Sequence, residues 1–274
     1  YFMHAGIGIW KIDQDGELTL HPGPGFHHIE LDQDGRFASQ RWPRFPDGVI
    51  RAVGSNPTLL AVSSFPITTG KDGAFYYPEA KPDQRVHVLR LEPGGRPTEF
   101  ALLPAAIEIS YEGKPIVAQW IHGMATGPDG NIYYAEKEGI RRIDMQGNVT
   151  TVVDKITLPE CVHPPAITDD RGGVVLRGID VAPNGDIFAA SAGCSALLKV
   201  TQSGEVTVAL QNRDGWAPTD VFALGDTLYV QEFYYDDAPA ASDWEPRVRR
   251  IDADGNVTTL ATVTGTPERA ATDR

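Results

Sequence analysis

Apolar residues along this chain recur mostly at every second position, in short runs broken by polar turns that carry glycine. Alternation at period two turns one side of a strand to a core and the other to solvent. A glycine turn between two such runs folds them back on each other as a β-hairpin. Five segments share this pattern: "IWKIDQDGELTLH" (9–21), "VLRLEPGGRPTEFAL" (88–102), "IRRIDMQGNVTTVV" (140–153), "LLKVTQSGEVTVAL" (197–210) and "VRRIDADGNVTTLA" (248–261). "VIRAVGSNPTLLAVSS" (49–64) is a sixth, degenerate copy. A second hairpin, strand then Asp/Asn-Gly turn then strand, precedes most of them. It reads "HHIELDQDGRFASQR" (27–41), "HGMATGPDGNIYYAE" (122–136) and "RGIDVAPNGDIFAAS" (177–191), with "TDVFALGDTLYVQE" (219–232) one residue shorter and "FPITTGKDGAFYYPE" (65–79) less regular.

Two hairpins per unit make a four-stranded antiparallel sheet. The later-hairpin glycines Gly95, Gly147, Gly204 and Gly255 lie 52, 57 and 51 residues apart, the length of one propeller blade with its loops. A single such sheet cannot bury both faces, so the units must close into a ring. The fold predicted is therefore all-β, a six-bladed β-propeller in one domain over 1–274. Its blades fall at 267–274 with 1–22, 26–64, 65–103, 120–154, 176–211 and 217–263. The first unit opens at its second strand, "YFMHAG", while the C-terminal "PERAATDR" (267–274) resembles the first-strand segment "IHGMATGPD". The chain's end is accordingly expected to supply the missing inner strand and close the ring.

Composition narrows the function classes. Of 274 residues 41% are hydrophobic and 22% charged, enough for a sizeable core and against disorder. Lys and Arg number 24 against 37 Asp and Glu, so the net charge of −13 disfavours a phosphate-backbone partner. No apolar run approaches the ~20 residues of a membrane helix. A small-molecule partner is the expectation, with the oligomeric state left open. Two cysteines rule out a disulfide scaffold and leave one optional bridge, Cys161 to Cys194, whose loops both reach the same face. Such a bridge implies an oxidising, extracytoplasmic compartment.

"GMATGPDGNIYYAEKEGIRRID" resembles the NHL repeat, in its glycine, its Pro-Asp-Gly turn, its aromatic second strand and its Arg-Ile. The likeness covers blades 4 to 6 well and the others loosely. His122 and Glu136, 14 residues apart, look like the virginiamycin B lyase pattern. That resemblance implies His122 as general base and Glu136 as a metal ligand in the elimination that opens a macrolactone. The same pattern places an acidic ligand two residues before the histidine, where this chain has Trp120. The senescence-marker/gluconolactonase propellers are a second relative, without a recognisable copy of their calcium set.

The repeat register selects funnel residues independently of any family. Eight residues before the turn glycines Gly35, Gly73, Gly130 and Gly185 stand His27, Phe65, His122 and Arg177, with Thr219 and Glu268 completing that ring. Six residues after them stand Arg41, Glu79, Glu136 and Ser191, joined by Glu232 and, with a one-residue longer loop, His4. Both rings lie at the strand ends that carry the long segments 42–48, 80–84, 104–119, 155–175 and 234–247, read as irregular insertions. Glu136, Glu79, Glu232 and His4 then suit a divalent metal such as Ca, Mg or Zn. His122 or His27 would serve as base, and Arg41 and Arg177 would pair an anionic group. Trp120, Trp216, Thr219 and Ser191 would contact substrate.

Each position has a structural alternative. Glu136 serves equally well in blade-to-blade contacts and Arg177 in an ion pair between neighbouring blades, Glu232 as the start of a solvated loop, and Trp120 and Trp216 in packing. His21 and His87 read as structural. Cys194 with His163 lacks the strand-to-helix elbow of a nucleophile. Two functions follow: an enzyme that opens a lactone or ester-like C–O bond of a small, anionic or sugar-derived molecule by hydrolysis or elimination, or a propeller that only binds a ligand or protein.

Overall fold

The computed structural model of this chain describes residues 2–4, 8–12, 18–22, 49–51, 59–61, 66–80, 85–92, 95–104, 107–111, 114–118, 121–164, 173–234 and 245–264. Regular structure among them is entirely strand. The first sheet holds β1 (Phe2–His4), β2 (Gly8–Ile12) and β3 (Leu18–Pro22), and a hairpin follows of β4 (Val49–Arg51) and β5 (Leu59–Ala61). The next sheet comprises β6 (Thr68–Thr69), β7 (Phe75–Ala80), β8 (Val86–Leu91) and β9 (Thr98–Leu102). After β10 (Ile107–Tyr111) and β11 (Lys114–Ala118) comes the sheet of β12 (Gly123–Thr126), β13 (Ile132–Ala135), β14 (Ile140–Ile143) and β15 (Val149–Val153). The last two sheets are β16 (Leu176–Val181), β17 (Ile187–Ser191), β18 (Ala196–Val200) and β19 (Val206–Gln211), then β20 (Trp216–Leu224), β21 (Thr227–Tyr234), β22 (Glu245–Ile251) and β23 (Val257–Thr262).

Local chemistry explains why the chain folds back where it does. Gly73, Gly130 and Gly185 adopt φ of 75°, 84° and 88°, where a Cβ is strained, and each amide donates to the carbonyl three residues before it at 2.8–2.9 Å. The Asp or Asn before each glycine accepts the amide two residues on: Asp72 from Ala74, Asp129 from Asn131 and Asn184 from Asp186, at 3.0–3.1 Å. Strand order in each four-stranded sheet follows chain order, so the first strand is innermost and the last, with its exposed positions, is outermost.

Consecutive sheets share cores. Tyr76, Val88, Met124, Ile132 and Tyr134 lie between β6–β9 and β12–β15, while Tyr133, Ile140, Leu176, Ile179 and Leu198 lie between β12–β15 and β16–β19. Tyr133 and Tyr134 face opposite neighbours, as adjacent residues of a strand must. Each buried large side chain contributes roughly 1.5–3 kcal/mol. Inner strands abut in sequence, β6 on β12, β12 on β16 and β16 on β20, and β1 lies against β22. Gly123 and Gly178 permit this approach, since a Cβ at Gly123 would sit 2.8 Å from the Arg177 carbonyl and one at Gly178 2.5 Å from Asp220 Cα.

Among the described residues four sheets are four-stranded, β6–β9, β12–β15, β16–β19 and β20–β23, the last beginning at Trp216. The hairpin predicted at 9–21 appears as β2 and β3, and the degenerate copy as β4 and β5. Segment 104–119 departs from expectation. The sequence predicts an irregular insertion, yet Ile107–Tyr111 pairs antiparallel with Lys114–Ala118. Its Ile107, Ile109 and Tyr111 alternate with polar residues and a Glu-Gly turn follows, a period-two signal hidden by its being an addition to the repeat. The proposed closing strand at 267–274 and the hairpin at 27–41 lie outside the described residues.

Candidate functional site

The two rings selected by register are cross-strand neighbours. The His122 amide donates to the Ala135 carbonyl, beside Glu136, Leu176 pairs with Ser191 next to Arg177, and Pro218 pairs with Glu232 next to Thr219. Arg177 and Thr219 both fall where the register shifts, between Leu176 and Ile179 and between Pro218 and Asp220. A bulge there turns the side chain out of the regular alternation.

His122 is half-buried. Burial, reinforced by the positive charges of Arg177 and Lys137, holds its imidazole at about 4. At neutral pH the ring is therefore uncharged and able to accept a proton, and Arg177 lies within electrostatic range of it.

The carboxylates behave differently from the expectation. Glu136 is half-buried and accepts Arg141 Nε at 3.0 Å, while Arg141 Nη2 also reaches Asp154 at 2.7 Å. Glu232 is fully buried, not the start of a solvated loop. Its Oε2 accepts Arg247 Nε at 2.5 Å, and its Oε1 accepts Arg249 Nη2 and Asn212 Nδ2, the latter at 2.8 Å. Trp216, expected at the substrate, instead lies 4.2 Å beneath the Arg247 guanidinium and 5.5 Å from the Tyr234 ring. Ser191 is also internal: its hydroxyl donates to the Val174 carbonyl and accepts the Cys194 amide at 3.3 Å. Thr219 Oγ1 donates to the Gln231 carbonyl at 3.4 Å. Glu79 is half-buried and stands opposite His87 in register, and His87 bonds Glu99 at 2.9 Å, consistent with its structural reading. His4 ends β1, and His27, Arg41 and Trp120 lie outside the described residues.

Cys161 and Cys194 are joined as a disulfide with Cα atoms 4.6 Å apart, and His163 Nδ1 contacts the Gly193 carbonyl at 2.7 Å.

Among solved structures, a virginiamycin B lyase from Staphylococcus aureus is similar at 17% identity and a TM-score of 0.54, with 97% of this chain and 80% of that one covered. A streptogramin B lyase is similar at 13% identity and a TM-score of 0.53, covering 89% and 84%. A gluconolactonase from Xanthomonas campestris is similar at 15% identity and a TM-score of 0.54, covering 82% and 75%. The fold is a β-propeller. No protein-family profile matches the chain, and no curated protein sequence does.

Among the described residues, no group of three or more His, Cys, Asp and Glu side chains is placed to hold a divalent metal. Two of the four predicted ligands, Glu136 and Glu232, are bonded to guanidinium groups that supply the positive charge an ion would bring. Arg141, Arg247, Arg249 and Asn212 are the residues sequence reasoning missed. Their signal was present in the repeated "IRRID" and "VRRID": Arg141 and Arg249 occupy the same register position, opposite Tyr134 and Val230, which stand two residues before the glutamates these arginines bond.

Proposed function

We propose that the chain is an enzyme that opens a lactone or ester-like C–O bond of a small anionic molecule in the propeller funnel. His122 is the general base and Arg177 the partner of a substrate carboxylate or developing oxyanion. The observation that carries this reading is the uncharged, half-buried His122 beside the exposed Arg177 at the start of adjoining inner strands. A base must be unprotonated to work, and burial keeps it so throughout the neutral range. Arg177 adds a fixed positive charge that favours negative charge forming on oxygen. The likeness in fold to a virginiamycin B lyase and a gluconolactonase agrees with this chemistry. The disulfide fits an oxidising, extracytoplasmic location.

His122 would take its proton either from an attacking water, which is hydrolysis, or from the carbon next to the carbonyl, which is elimination. No step is routed through a metal, because Glu136 and Glu232 are already bonded to arginines. That same bonding is the observation that favours the second reading, a non-catalytic ligand-binding propeller.

A panel of lactones, esters and uronides separates the readings. Turnover of any member should fall about 10²–10⁴-fold in His122→Ala with sheet content retained. In the native protein kcat/KM should drop as pH falls through about 4. Ring opening with gain of one water means hydrolysis, and opening with unchanged mass means elimination. Binding of panel members without turnover, equal in native and His122→Ala protein, would leave the binding propeller. Elemental analysis with thermal unfolding before and after chelation tests the metal separately.

A further inference from the structure

We propose that the Cys161–Cys194 bridge is a latch that sets the position of Arg177. The latch rests on the reading above for its purpose, but its geometry stands apart from any substrate. Val175 is a β-branched residue at φ 41°, in the left-handed region, and buried. Such a conformation costs about 1–3 kcal/mol and persists only where its surroundings enforce it. The backbone here is held from two sides: the Leu176 amide donates to the Lys137 carbonyl at 2.9 Å, and the loop 191–195 supplies the contacts to residues 174 and 175. The Ala192 amide donates to the Val175 carbonyl and the Gly193 amide to the Val174 carbonyl, both at 3.1 Å, and the Ser191 hydroxyl also donates to Val174. A Cβ on Gly193 would stand 2.2 Å from the Gly173 carbonyl, so the two segments are in backbone contact.

That enforcing loop, 191–195, is itself tied down by the bridge. Cys194 is buried and joined to Cys161, in the segment that leaves β15. Next to Cys161, Glu160 holds Arg213 through two bonds of 2.8 and 2.9 Å. Gln211 Nε2 donates to the Cys194 and Ser195 carbonyls at 3.0 and 3.2 Å. The segment 154–164 is thereby fastened to blade 5 and to the link between blades 5 and 6. Two residues beyond Val175 is Arg177, in the bulge of β16, where a small backbone change at 175 rotates the whole side chain. Ser191 and Val175 are thus positioning residues, acting on the funnel through Arg177.

Dithiothreitol opens the bridge: its thiolate attacks Cys161 Sγ, Cys194 leaves as a thiolate, and closure of the oxidised dithiol ring leaves two protein thiols. Amide hydrogen exchange is compared in oxidised and reduced protein, and in the Cys161→Ala/Cys194→Ala variant. Exchange at Leu176, Ala192 and Gly193 should quicken at least about tenfold in the opened forms, while blade 3 amides such as Tyr76 and Leu89 stay unchanged. The Arg177 Nε–H resonance, identified by its loss in Arg177→Lys, should shift on opening while that of Arg141 does not. Reduced Val175→Gly, free of the strain, should keep Ala192 and Gly193 protected. Unchanged exchange, uniformly faster exchange in all blades, or an unmoved Arg177 resonance would each overturn the latch. None of these readouts involves turnover, so an inactive substrate panel sinks the enzyme and leaves the latch standing.

Discussion

Blades 4 and 6 carry the same glutamate at the same register position, and the two live in different worlds. Glu136 ends its strand half-exposed, with one arginine that also reaches an exposed Asp154. Glu232 has no exposed surface and is enclosed by Arg247, Arg249 and Asn212, with Trp216 stacked on the Arg247 guanidinium. The added partners explain the contrast. Arg247 occupies the register position that in blade 4 is Gly139, and the bulkier side chain closes over the carboxylate. Equivalent repeat positions thus share a place on the ring without sharing a dielectric, and it is the dielectric that decides the energy.

The widest gap between the two blades should appear on truncation. Glu232→Ala leaves Arg249 bonded to Asn212 alone and Arg247 with only the longer Asp214 ion pair at 3.4 Å, and should cost about 3–5 kcal/mol in urea unfolding. Glu136→Ala should cost no more than about 1 kcal/mol, since a partly exposed pair is still screened by solvent. Equal losses would erase the distinction.

Acid should weaken the blade 4 side through His122. Its folded value of about 4 lies below the ordinary 6.5, so the unfolded chain takes up the proton first. Its contribution is complete above pH 6.5 and is lost as pH falls towards 4, at most on the order of 3 kcal/mol. His122→Asn should remove that part of the pH dependence from urea midpoints measured at pH 7 and 4.5. A slope unchanged by the substitution would assign the loss to other groups.

A smaller effect tests the lid of the blade 6 cluster. Trp216→Leu removes the stacked ring and should destabilise by about 0.5–2 kcal/mol, with no loss of affinity for any ligand found in the panel. A selective loss of affinity would return Trp216 to the substrate. The smallest effect is ionic: 1 M salt should abolish the coupling measured between Glu136→Gln and Arg141→Met in a double-mutant cycle, and leave that between Glu232→Gln and Arg249→Met in place.

Much of the fold was legible because its signals are local. Period-two alternation, Asp-Gly and Asn-Gly turns and a spacing near 50 residues specify hairpins, their pairing and their order without reference to distant contacts. The hairpin at β10 and β11 escaped for the same reason, since it stands outside the repeat that organised the reading. The cross-strand pairings beside His122, Arg177, Ser191 and Glu232 were readable from register too, because equivalent hairpins present equivalent residues at equal distance from their turns.

What those residues do was decided by contacts between elements far apart in sequence. Glu232 became an internal counter-ion because β22 lays Arg247 and Arg249 against it and Asn212 approaches from the preceding blade. Ser191 became a brace because residues 173–175 pass over its hydroxyl. His122 is uncharged because tertiary packing removes water from it and sets Arg177 nearby. Sequence alone determines strand, turn and repeat, where interactions span a few residues; charge state, ion pairing and access depend on burial, and burial exists only once the blades have closed on one another.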